Sequence, residues 1–582
     1  MTGTYSSALS DYAPAFRNEQ EPFLFFYSLG REGSHSVARF TRGEFWSLAR
    51  KAASVIAGNG LGKGSRIAHC FSANHPYDLV FRLAGAMTGA VPVTINWQAD
   101  TRERILYKIE LTGTRLVLTD SGFDKGHLQA VKGRFPDIPV FPVGGLPQEN
   151  ELPEDHFCAD LGPEESRMVI FTSGTTGEPK GVELPYRAYR VNRLTFESFL
   201  EIRPHDRFSV LIVNPFHHSN SSAITDWAMR RPGTHIHLIE RYSTDYWGIL
   251  CEAVFRGYDR LVAPTVSRHF DFLENLAREN RLPVDLELLK RAMTRTDFLI
   301  GSAPVGPTTI QRLRDYAGRL PVVRFGSTET CLQVIGTPLC LSEENRMRAF
   351  VRGWERTEKG EARPGYYIGR PHPPHTEARI VRAIQPGRQG FMTDCAPGEA
   401  GYLITRGGNL MSGYVHDPAG TREAFQDGWY LGLKDVCFSL ENEEDGREDY
   451  YWVSRESTLL IRGGANYAYD QISAELTAFA SAHYHLPPES FEIAVVGLKV
   501  GSEHEDSCCV TIELRDEAAR LKQSDMERTF KTEALRHVSK GAKPDYVRFA
   551  SIPRNFKGAV MVNELAAEFR EWLRRQKPNE CS

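Results

Sequence analysis

A loop rich in hydroxyls and glycines, ending in a lysine, is the part of this chain best suited to hold phosphate. It follows an apolar run at 168–171, whose length and residue types predict a buried strand. Glycines let the backbone turn its N–H groups toward an anion, and hydroxyls and an ammonium group add further donors. The candidate phosphate-binding residues are Thr172, Ser173, Gly174, Thr175, Thr176, Gly177, Lys180 and Gly181.

Two other interpretations of the loop compete with this one. A Walker loop needs a glycine directly before its lysine and a Ser or Thr directly after it. Here Pro179 precedes Lys180 and Gly181 follows it, which excludes that pattern. A surface turn would also contain Ser, Thr and Gly. The complete pattern FTSGTTGEPKG nevertheless favours a specialised phosphate-binding loop.

Helical and strand patterns alternate on both sides of the loop, which predicts parallel sheets covered by helices. The last three predicted strands run into Pro, Gly, Ser or His, so polar groups are expected at the carboxyl ends of strands, where open α/β sheets bind ligands. The predicted helices are 41–57 and 76–89, and the predicted strands are 66–72, 90–95, 115–119, 207–216, 259–266 and 296–305.

The pattern changes after Gly365 to short strands with turn signals, which predicts a small β-rich subdomain. The charged stretch 441–458 is the best candidate for a linker or domain edge. Beyond it, mixed patterns predict a small α+β domain. The expected fold class is α/β, with a large domain at 1–455 and a small C-terminal domain at 456–582.

The bulk properties exclude several classes of protein. The net charge of −4, from 70 basic and 74 acidic residues, gives no electrostatic case for nucleic acid or anionic membrane as a main partner. The ten cysteines form no C-x-x-C pair and no cluster at metal spacing, so reduced thiols are expected. Without a signal-peptide pattern or a membrane-spanning apolar run, a soluble cytoplasmic protein is expected.

The loop FTSGTTGEPKG resembles the signature loop of the adenylate-forming superfamily, which includes acyl-CoA synthetases, nonribosomal adenylation domains and firefly luciferase. Six further stretches, within roughly residues 40–565, resemble the other motifs of that family in the same order. The resemblance implies that the loop carries the phosphates of ATP. It also implies that the small C-terminal domain is mobile.

Two of these stretches resemble the border of the acyl pocket. NPFHHSNSS places His217 or His218 at the family's histidine, and FLIGSAPV places Gly301, Ser302 and Ala303 at the turn against adenine and the acyl group. Taken alone, a His pair after a strand is more often packed or capping, and the second stretch is only a glycine turn.

The stretch RFGSTET resembles the segment that holds adenine, the α-phosphate and magnesium. The resemblance assigns Phe325 to adenine, Thr328 to the α-phosphate and Glu329 to Mg²⁺, with Gly326 and Ser327 between them. A carboxylate suits Mg²⁺, which is usually shared between one or two carboxylates, water and substrate phosphates. Without the other motifs, a lone loop carboxylate would be solvated surface.

The next motifs concern the ribose and the small domain. Asp435 in GWYLGLKDV matches the aspartate that binds the ribose hydroxyls, although the spacing is one residue longer than usual and the Thr-Gly is absent. Arg455 matches an arginine that contacts ribose and phosphate. Gly463 and Gly464 match the loop that swings toward the pantetheine channel, and Thr458 stands at the hinge position.

The C-terminal motif departs from the family. In IPRNFKGAV, Ala559 stands where the family has a catalytic lysine. That lysine neutralises negative charge while the carboxylate attacks the α-phosphate, a role that alanine cannot fill. Lys557 is the first candidate for a substitute, with Lys540 and Lys543 as alternatives.

The resemblance implies ATP-dependent activation of a small carboxylic acid to an acyl-adenylate, followed by transfer to a thiol, with coenzyme A as the expected acceptor. ATP, Mg²⁺ and coenzyme A are the implied cofactors. A carrier-protein thiol or an amine is an alternative acceptor, and Ala559 motivates a non-catalytic nucleotide- or adenylate-binding protein as a second alternative. The polar stretch from Ser219 to Asp226 favours a polar or aromatic acid, unless it faces solvent at a helix start.

Overall fold

The computed structural model describes residues 5–30, 34–172, 178–256, 258, 260–302, 304–358, 361–362, 365–455, 459–462, 465–502, 505–554 and 560–576. The chain divides into a large compact unit, residues 1–172 and 180–454, and a small one, to which residues 173–179 and 455–582 are assigned. The division into a large domain at 1–455 and a mobile small domain at 456–582 stays a prediction.

The strands of the large unit are β1 (Pro22–Leu29), β2 (His35–Thr41), β3 (Arg66–Cys70), β4 (Val91–Thr94), β5 (Leu116–Thr119), β6 (Val140–Pro142), β7 (Ser166–Thr172), β8 (Lys180–Pro185), β9 (Phe208–Ile212), β10 (Thr234–Ile239), β11 (Leu261–Thr265), β12 (Thr296–Ile300), β13 (Val322–Phe325), β14 (Ile335–Gly336), β15 (Thr357–Glu358), β16 (Glu361–Ala362), β17 (Tyr366–Pro371), β18 (Thr376–Val381), β19 (Gly401–Gly407), β20 (Gly413–Tyr414), β21 (Phe425–Gln426), β22 (Trp429–Tyr430), β23 (Asp435–Glu441) and β24 (Glu448–Arg455).

Its helices are α1 (Arg42–Gly58), α2 (Pro76–Thr88), α3 (Arg102–Thr112), α4 (Lys125–Arg134), α5 (Tyr186–Phe199), α6 (Ser219–Met229), α7 (Tyr246–Arg256), α8 (Arg268–Arg278), α9 (Leu286–Met293), α10 (Pro307–Ala317), α11 (Glu343–Trp354) and α12 (Pro418–Glu423).

Two sheets organise the large unit. One has the order β20-β8-β7-β4-β3-β5-β6, in which β3 to β7 run parallel while β8 and β20 are antiparallel to their neighbours. The other has a parallel centre, β1-β10-β9-β11-β12-β13, and continues through β14 into the antiparallel strands β17 to β19 and β21 to β24. The predicted α/β class is therefore confirmed. The β-rich stretch after Gly365 extends the second sheet.

Helices cover the faces of both sheets and bury separate cores. The largest core lies between the sheets and includes apolar side chains of α1, α2, α5 and α6. A second core packs α7 to α11 against the opposite face of the second sheet, and a third packs α3 and α4 against the outer face of the first. Each parallel strand is therefore covered on both faces, which explains its continuous apolar sequence.

The short-range signals of the sequence position the first elements well. The helix expected at 41–57 is α1, whose first residue follows Thr41. Thr41 and Glu44 form a capping box, in which each side chain accepts a hydrogen bond from the other residue's backbone N–H. The expected strands at 207–216, 259–266 and 296–305 are β9, β11 and β12, which are shorter than predicted and end at Ile212, Thr265 and Ile300.

The stretch 441–458, predicted to be a linker or a domain edge, contains the boundary between the two compact units after Ser454, but most of it is not a linker. Residues 448–455 form β24, and Tyr450 and Tyr451 are buried in it. The charged residues mark only the turn between β23 and β24. The sequence pattern was misleading because acidic residues dominate the turn and obscure the apolar residues of the strand that follows it.

The small unit contains a compact α+β core. The strands β27 (Phe491–Leu498) and β28 (Ser507–Leu514) pair antiparallel, and β29 (Tyr546–Phe549) runs parallel to β28. A separate hairpin joins β25 (Leu459–Arg462) to β26 (Ala465–Ala468). The helices are α13 (Tyr469–Tyr484), α14 (Glu517–Leu521), α15 (Gln523–His537) and α16 (Val562–Gln576).

No helix within the described residues is both long and apolar enough to cross a membrane. The nine cysteines of the described chain are all free, as expected for reduced thiols, and most of them are buried.

A buried ionic network ties the N-terminal segment to the central core. The Tyr12 hydroxyl donates to Asp226 Oδ1 at 2.6 Å, and Arg167 Nε and Arg230 Nε donate to the same carboxylate at 3.1 and 2.6 Å. Burial alone would raise the pKa of Asp226, but Arg230 and Arg167 outweigh burial and hold the pKa below its usual value. The carboxylate therefore pairs with two arginines that have no access to solvent, and Asp11, 2.9 Å from Arg230 Nη1, supplies the second negative charge.

We expect Asp226→Ala to lower the free energy of unfolding by about 3–5 kcal/mol, because it leaves the buried Arg167 charge without its carboxylate and Arg230 with only Asp11. A urea titration followed by tryptophan fluorescence measures this loss, and Asp315→Ala on the exposed face of α10 is the control. Since the folded pKa of Asp226 is depressed, its stabilisation is present above the unfolded pKa of about 3.9 and is lost as the pH falls through the folded value. A variant as stable as wild type at pH 7 would contradict this role.

Candidate active site

The phosphate-binding loop connects two antiparallel strands. β7 and β8 pair with Thr172 opposite Lys180 and Phe171 opposite Gly181, so the loop starts and ends at adjacent backbone positions. Ser173, Gly174, Thr175, Thr176 and Gly177 lie outside the described residues. The pairing places Thr172 and Lys180, the two described ends of the predicted site, side by side.

Lys180 has an anionic partner within the protein. Its Nζ lies 3.1 Å from Asp417 Oδ2 and 4.7 Å from the centre of the Tyr414 ring. The backbone N–H of Gly420 and the Lys180 ammonium hold the pKa of Asp417 below its usual value. Lys180 is therefore held in place by one carboxylate and one aromatic face.

Tyr414 connects Lys180 to Glu329. Its hydroxyl donates to Glu329 Oε1 at 3.2 Å, while the face of its ring contacts the Lys180 ammonium. Tyr414 takes this position because β20 pairs with β8, with Tyr414 opposite Val182. The predicted phosphate-binding lysine and the predicted magnesium-binding glutamate therefore meet at one side chain, which the sequence analysis did not single out.

Glu329 provides a suitable ligand for Mg²⁺. It is half-buried and supplies hard carboxylate oxygens, and its backbone carbonyl is fixed by the N–H of Met411 at 2.8 Å. Across the described ranges, no group of three or more His, Cys, Asp or Glu side chains is arranged to hold a metal. A single carboxylate fits Mg²⁺, which commonly takes one or two carboxylates from a protein and its other ligands from water and substrate phosphates.

The segment that contains Glu329 folds back on itself after β13. Ser327 N donates to Thr330 Oγ1 at 2.8 Å, and Leu332 N donates to Ser327 O at 2.9 Å. A Cβ at Gly326 would lie 2.0 Å from the Leu332 carbonyl oxygen, so only glycine fits there. The turn leaves Phe325, Ser327 and Thr328 partly exposed, beside Glu329.

The turn after β12 lies next to this segment. A Cβ at Gly301 would lie 2.9 Å from the Arg324 carbonyl oxygen, which shows how closely the ends of β12 and β13 approach. Ser302 follows with a φ of 69°, a left-handed conformation that is uncommon for serine. Ala303 lies outside the described residues. Gly301 and Ser302 therefore form a strained turn at the carboxyl edge of the sheet.

The histidine pair lies at the same edge, between β9 and α6. His217 is 6% exposed, and neither of its ring nitrogens has a hydrogen-bond partner among the described residues. Burial, followed by the neighbouring charges of His218 and Lys108, lowers the pKa of His217 well below its usual value, so the ring is neutral at pH 7. His218 packs against it with ring centres 4.4 Å apart.

A small cavity lies beside His217, and Trp97 meets the histidine edge-on at 5.9 Å between ring centres. Polar and aromatic side chains line it, including buried groups that the sequence analysis missed. Its lining residues are His69, Phe71, Ala73, Asp78, Arg82, Thr94, Ile95, Trp97, Phe216 and His217.

Asp435 is buried at the start of β23. The Trp452 indole N–H donates to its Oδ1 at 2.8 Å, which orients the carboxylate. Arg455 is the last residue of β24. Gly463, Gly464 and Lys557 lie outside the described residues.

The polar residues that favoured a polar or aromatic acid mostly bond within the protein. Ser221 donates to the Pro215 carbonyl, Ser222 bonds Arg82 and Tyr189, and Asp226 belongs to the buried arginine network. These side chains therefore support the fold, and their polarity is not evidence about the acid. In this stretch, Asn220 Oδ1 is buried and has no partner within the described chain.

Comparison with characterised sequences identifies relatives of the whole chain. A 2-succinylbenzoate–CoA ligase of Bacillus licheniformis is 26% identical over 448 residues, which cover 76% of this chain and 80% of the relative. A sulfoacetate–CoA ligase of Cupriavidus necator is 26% identical over 553 residues, covering 92% of this chain and 93% of the relative.

Solved structures share the fold. An o-succinylbenzoate CoA synthetase from Bacillus subtilis aligns with a TM-score of 0.72 at 20% identity, over 96% of this chain and 98% of its own. An amide bond synthetase from Marinactinospora thermotolerans aligns with a TM-score of 0.71 at 19% identity, over 96% of this chain and 99% of its own. Residues 15–415 match the AMP-binding enzyme family. The predicted resemblance is thereby confirmed: this chain belongs to the family of AMP-binding, adenylate-forming enzymes.

Proposed function

We propose that this chain is an AMP-forming ligase that activates a carboxylic acid with ATP and transfers the acyl group to coenzyme A. The observation that carries the proposal is the meeting of Lys180 and Glu329 at Tyr414, beside the loop with the family's phosphate signature. A cation and a carboxylate held against the same tyrosine side chain suit a triphosphate that itself bridges a lysine and a metal. The CoA ligases among the relatives support the same class of reaction.

In the first step, a carboxylate oxygen of the acid attacks the α-phosphorus of ATP, and the bond to pyrophosphate breaks. Thr172, Lys180 and the loop residues Ser173 to Gly177 hold the phosphates, and Lys180 leaves Asp417 to do so. Thr328 contacts the α-phosphate and Glu329 binds Mg²⁺, which supplies charge neutralisation to the phosphates. Phe325, Gly326 and Ser327 border the adenine.

In the second step, the thiol of coenzyme A attacks the acyl carbonyl, AMP leaves and the thiol proton is released to solvent. Asp435 and Arg455 hold the ribose, and Gly301, Ser302 and Ala303 line the acyl and adenine side. Gly463 and Gly464 serve the thiol step. We assign these roles to a large domain at 1–455 and a mobile small domain at 456–582.

His217 and His218 border the acyl group in this proposal. Because burial keeps His217 neutral, one of its nitrogens can donate a hydrogen bond while the other accepts one. Neither nitrogen has a hydrogen-bond partner among the described residues. His217 therefore orients a polar group of the acid and carries no charge.

The acceptor is the least constrained part of the proposal. The structural neighbours include both a CoA synthetase and an amide bond synthetase, so the shared fold is compatible with a thiol or an amine. Coenzyme A is favoured because the relatives at 26% identity are CoA ligases. Mass analysis of the product with coenzyme A or an amine present separates the two acceptors.

Acid-dependent exchange of labelled pyrophosphate into ATP tests the activation step directly. We expect exchange with at least one member of a carboxylic acid library, and AMP release when coenzyme A is added. A protein that binds ATP but exchanges no label with any acid would be the non-catalytic binding protein that Ala559 suggested.

We expect Tyr414→Phe to lower kcat of the exchange about tenfold, because it removes the hydroxyl that orients the Glu329 carboxylate. Tyr316→Phe is the matched control, since Tyr316 makes the same kind of bond to Glu274 at 3.1 Å between α10 and α8. Equal rates in the two variants would show that Tyr414 does not serve the reaction.

We expect Lys557→Ala to reduce exchange by 100-fold or more, on the order of the loss from one charge-stabilising donor. Lys540→Ala and Lys543→Ala are the controls, and both should keep wild-type exchange. If either control loses exchange while Lys557→Ala keeps it, the role of the missing lysine belongs to that residue.

A further inference from the structure

Arg324 is a buried arginine that has no counter-charge among the described residues. The residue is 5% exposed, and its Nε and Nη2 atoms are enclosed without a hydrogen-bond partner among the described residues. Burial lowers its pKa to about 9, and no carboxylate in the described part of the chain opposes that effect. The guanidinium is therefore still charged at pH 7.

This state contrasts with the other buried arginines of the large unit. Arg167 and Arg230 share the Asp226 carboxylate, and Arg82 bonds Asp78 at 2.5 Å. Removing a charge from water without a partner costs several kcal/mol, and native proteins rarely retain such a group without a function. The contrast indicates that the counter-ion of Arg324 is a ligand.

The position of Arg324 identifies which ligand that is. Its Cζ would lie 3.3 Å from a Cβ at Gly301, so the guanidinium packs against the turn assigned to the acyl group and adenine. Arg324 also shares a sheet face with Val322, two residues earlier on β13. Val322 belongs to the core between the sheets, which also contains Ala223 and Ile224 of α6. The guanidinium thus lies on the side of the sheet that carries the helix after His217 and His218.

We infer that Arg324 binds a second anionic group on the acid substrate, so that the enzyme selects carboxylic acids that carry a further carboxylate or a sulfonate. The inference rests on the proposed function and specifies its substrate class. A guanidinium suits both anions, because its planar fork donates two parallel hydrogen bonds to a pair of oxygens. One carboxylate of the substrate reacts with ATP, and the other anion remains unreacted at Arg324.

Matched acids test the selection in the wild-type protein. Pyrophosphate exchange is measured with dicarboxylates of three to six carbons, with sulfonated carboxylates of the same lengths, and with the corresponding monocarboxylates and half-amides. We expect kcat/KM about 10- to 100-fold higher for one of the two anionic series than for its uncharged analogues. The two anionic arms distinguish a carboxylate-specific site from a sulfonate-specific one. Equal or better use of the uncharged acids overturns the inference and leaves the proposed ligase intact.

Substitution of the arginine then tests its role. Arg324→Met should lower kcat/KM for the preferred dianionic acid about 10- to 100-fold and change values for uncharged acids less than about threefold. Arg324→Lys keeps a charge and should recover part of the loss. Arg346→Met on α11 is the control, because Arg346 also has a buried Nε without a partner in the described chain. An equal loss of kcat/KM for every acid, or a higher KM for ATP alone, would instead show that Arg324 binds the nucleotide.

A binding measurement separates failure of this inference from failure of the proposed function. The preferred dianionic acid should raise the Tm of the wild-type protein and of Arg346→Met, but not that of Arg324→Met. If no acid supports exchange while this pattern of Tm shifts is present, the ligase proposal fails and the anion site stands. If exchange occurs but Arg324→Met responds like wild type, the anion site fails and the ligase stands.

Discussion

The antiparallel pairing of β8 with β7 on one side and β20 on the other determines the geometry of the candidate site. The first pairing places Lys180 opposite Thr172, and the second brings Tyr414 to the same lysine. A shift of one residue in either register would turn these side chains to the opposite face of the sheet. The position of the phosphate-binding lysine relative to Glu329 therefore depends on backbone hydrogen bonds between segments that are more than 200 residues apart in the chain.

The second sheet positions the other candidate site residues because its parallel strands share one direction. β9, β12 and β13 run in the same direction, so the segments that follow them emerge at one edge. His217, the Gly301–Ser302 turn and the Phe325–Glu329 segment come from these three places. Glycine is required where two of the segments approach each other, at Gly301 and Gly326. Close packing of these turns is what brings a guanidinium, a neutral imidazole and a carboxylate to one edge of the fold.

The elements and motifs could be predicted from the sequence because each is encoded by residues that lie close together in the chain. Apolar runs, caps and glycine turns are short-range signals, and they positioned α1, β7, β9 and β12 to within a few residues. Sequence reasoning missed Tyr414 because its role arises from the pairing of β20 with β8, which no local pattern shows. It also interpreted the polarity of Ser222 and Asp226 as a property of a pocket, whereas both are bonded inside the core. The unpaired state of Arg324 could not be predicted either, since it depends on which carboxylates the fold brings near.

The ion pair between Lys180 and Asp417 has a consequence for how nucleotide arrives. Because the ammonium is already neutralised by a carboxylate, an approaching triphosphate encounters little net positive potential from this pair at long range. Lys180 acts on the nucleotide only when it exchanges one anionic partner for another. Its contribution therefore lies in orientation at short range, and the association rate of ATP depends on ionic strength less than it would with an unpaired lysine.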